Sequence, residues 1–116
     1  MKLELVKLGE VIHVIERRIF SGDVRRHFVG EIEACTNSAL RVKGYLFVYD
    51  SGASAFLRKS EIRTRVIPLD NRVIINVLPN GVSFDSVSYT LDAEGNLTLT
   101  DGAGFELDVS EFSARE

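Results

Sequence analysis

The densest group of residues able to do chemistry in this chain surrounds its first expected turn: Arg17, Arg18, Arg25, Arg26 and His27. Only Glu16, Asp23 and Glu31 oppose them nearby. Each guanidinium offers a planar fork of N–H donors that matches a carboxylate or a phosphate, so the group suits recognition of RNA or another anionic ligand. Arg63 and Arg65 form a second pair, at the two-residue spacing that projects both from one strand face. The same arginines can also pair with acids of their own chain or of a neighbouring subunit. Tyr45, Phe47 and Tyr49 alternate along one strand face, where they could stack on bases or fill a core or an assembly interface. His27 has an ordinary pKa near 6.5, open to a protonation switch or a base contact, and equally to a structural place in its strand.

Other chemistries find less support. Cys35 follows Ala34 with no activating motif and reads as a small buried hydrophobe. Glu31 and Glu33 share a strand face at a spacing that could hold a cation or an acid/base pair, but solvated strand glutamates have the same pattern. Two His and one Cys, with no CxxC or HxxxH spacing, do not make a zinc set within one chain. Asp101-Gly102-Ala103-Gly104 lacks the repeated Asp/Asn spacing of a calcium loop and reads as a tight turn. There is no GxSxG elbow, GxGxxG or phosphate-binding GxxxxGK[ST]. No catalytic residue, cofactor or metal is expected.

These residues sit in a chain of 116, 45% hydrophobic and 27% charged, a size and balance that suit one domain spanning 1–116. A domain of this size buries enough surface to fold without metal or disulfide staples. The single Cys excludes an internal disulfide and fits a reducing, cytoplasmic setting. No apolar run approaches the roughly 18 residues of a membrane span, and the first residues lack a signal-peptide core, so no membrane partner is expected. The net charge of −3 conceals a division after Arg72. Residues 1–72 hold 13 Lys and Arg against 9 acids, whereas residues 73–116 hold Arg115 against 8 acids. A basic first part joined to an acidic last part can mean a polyanion surface, an acidic screen for it, head-to-tail contacts between copies, or solubilising charge.

Two-residue alternation and regular turn signals predict an all-β domain of about eight strands. The expected strands are Val11–Phe20, His27–Cys35, Leu40–Asp50, Ala55–Arg58, Ile62–Leu69, Arg72–Leu78, Val87–Leu91, Leu97–Thr100 and an alternating stretch from Phe105 to Val109. Met1–Gly9 and Val109–Glu116 are the only stretches that could form short helices. The third strand begins half-buried and ends apolar on both faces, which places it inside a sandwich, beneath a second layer or at a subunit contact. Pro68 cannot donate to a ladder, so its position is an edge, a bulge or a strand end. Strands this many in one small domain need a barrel or two packed sheets, and a small barrel is the expectation.

From Ile12 to Val77 the chain resembles the Sm-like small β-barrel family. The residues that carry the resemblance are Phe28-x-Gly30-x-Ile32, a hydrophobic third strand, a long fourth segment and the short strand Val73-Ile74-Ile75-Asn76-Val77. The resemblance implies a strongly bent antiparallel barrel, Sm-like or SH3-like, with a barrel-like core over 12–78 and an added acidic β extension over 79–116. It also implies ring assembly and RNA binding. Aligned on Gly30, the family's pocket Asp and Asn fall at Thr36 and Leu40, and Ile67-Pro68-Leu69 stands where an Arg-Gly pair would be. Assembly through barrel edges is therefore the implied property that this sequence keeps. The resulting expectation is a non-enzymatic module that forms a homo-oligomer, or binds a protein partner, through edge strands and the Tyr45/Phe47/Tyr49 face. The alternative is an RNA or anion binder using Arg17, Arg18, Arg25, Arg26 and His27.

Overall fold

A computed structural model describes residues 4–20, 22–91 and 94–109. Among the described residues there are nine strands and no helix: β1 (Val11–Glu16), β2 (Arg26–Cys35), β3 (Ala39–Asp50), β4 (Ala55–Arg58), β5 (Arg63–Pro68), β6 (Val73–Val77), β7 (Ser88–Leu91), β8 (Leu97–Thr100) and β9 (Glu106–Asp108). Residues 4–9 form bends and turns where a short helix is one expectation. Residues 1–3 of that expected helix, and residues 110–116 of the expected C-terminal one, lie outside the described residues. Among the described residues no helix is long and apolar enough to cross a membrane.

All strand pairs are antiparallel, and they form two sheets. The larger has the order β4-β3-β2-β1-β6, with β5 also on β3; the smaller has the order β7-β8-β9. The long β3 serves two partners on one side. Its first half, from Ala39 to Gly44, pairs with β5, and its last residues, Phe47 to Asp50, pair with β4. Pro68 ends β5 opposite Ala39, a strand end where its missing N–H costs no ladder bond.

The expected first strand stops early, at Glu16, for a local reason. Asp23 Oδ2 accepts the N–H groups of Ile19 (3.1 Å) and Phe20 (3.0 Å), which folds the segment into a turn before the ladder can extend. A second departure lies at the far end of β2, where the register with β3 shifts between Ile32 and Ala34. Such a bulge re-aims the residues beyond it. Cys35 is exposed there, not buried as its apolar neighbour suggests.

The larger sheet is coiled, and its connectivity requires this. In a flat sheet β5 and β6 would run in the same direction at opposite edges, separated by about 19 Å of sheet width as well as a strand length. Four residues, from Leu69 to Arg72, cannot span that. Gly30 and Gly44 face each other across β2 and β3 at the bend. A Cβ on Gly44 would collide with the Val29 carbonyl, and one on Gly30 with the Lys43 carbonyl, so only glycines allow the two strands to come this close. The coil wraps an apolar inner core of Ile12, Val14, Phe28, Ile32, Leu40, Val42, Leu46 and Ile67. Among the described residues the sheet nevertheless stays open, with one side of β5 and one side of β6 unpaired.

The outer face of the same strands is covered by the smaller sheet. Val29, Phe47 and Phe56 pack there with Leu78, Val82, Val87, Leu99 and Val109. The two-faced third strand thus lies beneath a second layer of its own chain.

Candidate functional site

Alternation on β1 and β2 puts His13 and His27 on the outer face, inside an otherwise apolar row of Val11, Ile15 and Val29. A buried imidazole needs partners, and these supply them from two other strands. Asn76, opposite His13 on β6, donates from Nδ2 to His13 Nδ1 at 3.1 Å. The His13 proton is then on Nε2, which lies 3.0 Å from the Tyr89 hydroxyl and 3.1 Å from His27 Nδ1. His13 donates to Tyr89 Oη, and the Tyr89 hydroxyl donates to His27 Nδ1 at 2.8 Å. The last member, His27 Nε2, is buried with no hydrogen-bond partner among the described residues.

The environment keeps both rings neutral. His13 is 0% and His27 2% exposed. Burial lowers the His13 pKa from 6.5 to about 4. Burial, then the neighbouring His13 and then the Arg25 guanidinium lower that of His27 to about 3. Burial raises the Tyr89 hydroxyl well above its usual value, so it remains a donor. Aromatic rings frame the cluster: Phe47 meets Tyr89 edge-on with centroids 5.0 Å apart, and Phe56 stacks on Tyr89 at 4.9 Å and lies 4.5 Å from His27. This arrangement locks the smaller sheet to the larger through one phenol. Among the described residues no group of three or more His, Cys, Asp or Glu is placed to hold a metal ion.

The aromatic face expected at an assembly interface is therefore filled from within. Phe47 is 2% exposed, Tyr45 lies against Phe84, and Tyr49 against Phe56. Residues of the acidic extension, among them Phe84, Tyr89 and Leu99, pack on that face, while Tyr45 and Tyr49 stay half-buried.

The arginines do converge, at the end of the larger sheet where β1 leaves and β2 begins. One recess of ≈ 80 Å³ is lined by Arg17, Arg18, Arg26 and Arg72, with Glu16 and Asp23 beside them. A smaller one of ≈ 10 Å³ is shared by Glu16, Arg18, Arg25, Arg26 and His27. Arg25 also spreads over the Tyr49 and Phe56 rings, 5.3 and 5.4 Å from their centroids, so part of its role is to cover the aromatic cluster. Of the second arginine pair, Arg65 lies 5.7 Å from the centroid of Phe28. It also lines a cleft of ≈ 240 Å³ between the free sides of β5 and β6, whose apolar walls include Val14, Phe28, Leu46, Ile67 and Val73.

Sequence reasoning placed the arginine group but missed His13, Tyr89, Asn76 and Arg72. The signal for His13 was available: it occupies an inward position of an alternating strand, where a polar side chain must find a partner. No protein-family model, no curated protein and no solved structure matches this chain.

Proposed function

We propose that this chain is a non-enzymatic module that assembles with copies of itself through the two open edges of the larger sheet. The observation that carries this reading is the pair of unpaired edges, β5 and β6, flanking one apolar cleft. An open edge presents a row of unused N–H and C=O groups that templates pairing with another strand. Here the row carries apolar side chains: Val66 is 64% exposed, and Val77 is also exposed. Two different edges on one subunit favour head-to-tail contacts, which close into rings when the rotation permits. In this reading the coiled sheet is a small barrel of the Sm-like or SH3-like kind left open between β5 and β6, and the neighbour's strand completes it. The exposed lone thiol of Cys35 fits a reducing compartment such as the cytoplasm.

Light scattering after size-exclusion chromatography tests the reading. A mass that is a multiple of 12.9 kDa is expected, and Val66→Lys should reduce it to that of the single chain. A 12.9 kDa particle at every concentration overturns it.

A further inference from the structure

The arginine recess goes beyond self-assembly, because backbone and turn contacts bring its arginines together from distant parts of the chain. Arg17 N donates to the Arg72 carbonyl at 2.7 Å, and Arg17 Nη1 to the Asn71 carbonyl at 3.0 Å. Arg72 N donates to Asp70 Oδ1 at 2.8 Å, which fixes the turn between β5 and β6. Two parts of the chain far apart in sequence are thereby tied together, and Arg72 comes to stand beside Arg17. Arg26 enters from the first residue of β2 and Arg18 from the loop after β1. Four arginines line the recess with two acids, Glu16 and Asp23. One of these, Asp23, already uses Oδ2 to cap the Ile19 and Phe20 amides.

The recess, ≈ 80 Å³, has room for more than a single water, where about 10–15 Å³ on this measure holds one. Forked donors arriving from several directions match an anion with several acceptor oxygens. We propose that this recess binds a phosphate group, held by Arg17, Arg18, Arg26 and Arg72. Contacts to phosphate oxygens carry no sequence information, so recognition is of the phosphate and not of sequence. Free phosphate and the backbone of a single-stranded RNA both present this chemistry.

The test uses the full chain at low ionic strength with three probes: inorganic phosphate, pyrophosphate and a short single-stranded RNA, each titrated calorimetrically. Binding should fall as salt is added. Arg72→Gln should weaken it about tenfold or more, since a hydrogen bond to a charged group contributes on the order of 1.5–3 kcal/mol. Arg72→Lys, which keeps the charge but loses the fork, should fall between the two. Arg41→Gln removes the same charge from an exposed site on β3 and should bind as the parent does. Arg72 ties Arg17 through its backbone carbonyl, so the side-chain variants keep that bond, and thermal unfolding on each sample verifies the fold. The probe that binds most tightly tells free phosphate from a nucleic acid strand. Equal binding by the Arg72→Gln and Arg41→Gln proteins, or no binding of any probe at low salt, overturns the site. The particle mass, measured on the same samples, separates this result from that for edge assembly.

Discussion

On its inner face the larger sheet curls round one core, packing apolar side chains from β1, β2, β3 and β5 together, whereas on its outer face the same strands depend on a separate sheet. The inner contact needs backbone approach and therefore glycine. The outer contact uses aromatic rings and a hydrogen-bonded group of two imidazoles, a phenol and an amide. One face should thus respond to shape and the other to protons. Apolar burial is non-directional, so it can fill a core but does not by itself fix how two sheets sit on each other; a buried hydrogen-bonded cluster with few allowed geometries does.

The largest difference between the faces should appear on acidification. Folding keeps both histidines neutral, so the unfolded chain binds more protons once the pH falls below 6.5. The stability this contributes is complete above pH 6.5 and is lost progressively as the pH falls through the folded values of about 4 and about 3. Between pH 7 and pH 5 the loss should be about 4 kcal/mol for the two residues together, read from denaturant midpoints. A flat profile over that range would mean that the imidazoles are as free to protonate as in water.

Next in size is Gly44→Ala on the inner face. The added methyl meets the Val29 carbonyl, so the strands must part, at a cost of about 3 kcal/mol that should not vary between pH 7 and pH 5. Unchanged stability in urea would show that the bend tolerates a side chain. Tyr89→Phe should cost about 2 kcal/mol, because it removes the partner of both His13 and His27 while keeping the ring in place. Its near-ultraviolet circular dichroism should change while its far-ultraviolet spectrum does not. The smallest effect on stability, within about 0.5 kcal/mol, is expected for Val66→Lys, an exposed edge change that acts on the assembly. Denaturant midpoints measured at dilutions where both proteins are single chains check this, and a large difference there would mean that Val66 also supports the fold of the single chain.

Much of the scaffold was legible in the sequence, because alternation reports which side of a strand is buried regardless of what covers it. Leu40, Val42 and Leu46 lie inward and Tyr45, Phe47 and Tyr49 outward as the pattern requires, and Pro68 stands at a strand end. Strand ends were less legible, since Glu16 terminates β1 through a carboxylate seven residues further on. The exposure of Cys35 depends on a bulge that leaves no mark in the local composition. The candidate sites were half legible. Arg17, Arg18 and Arg26 are close in sequence, but Arg72 joins them only through the coil of the sheet. Likewise His13, His27 and Tyr89 meet only when three strands from two sheets are in place.

The four-residue link from Leu69 to Arg72 has a kinetic consequence. The ladders β1-β2 and β2-β3 join neighbours in the chain and can form early, whereas β6 must travel back to place Val77 beside Ile12. Such distant pairing is slow, and the short link allows it only after β5 has settled along β3 and bent the sheet. Tyr89 then finds both imidazoles already in position, so the smaller sheet docks last. Its hydrogen bonds are expected to form after the rate-limiting step. Tyr89→Phe should therefore speed unfolding in stopped-flow measurements and leave the refolding rate almost unaltered, whereas slower refolding would place the phenol in the folding nucleus.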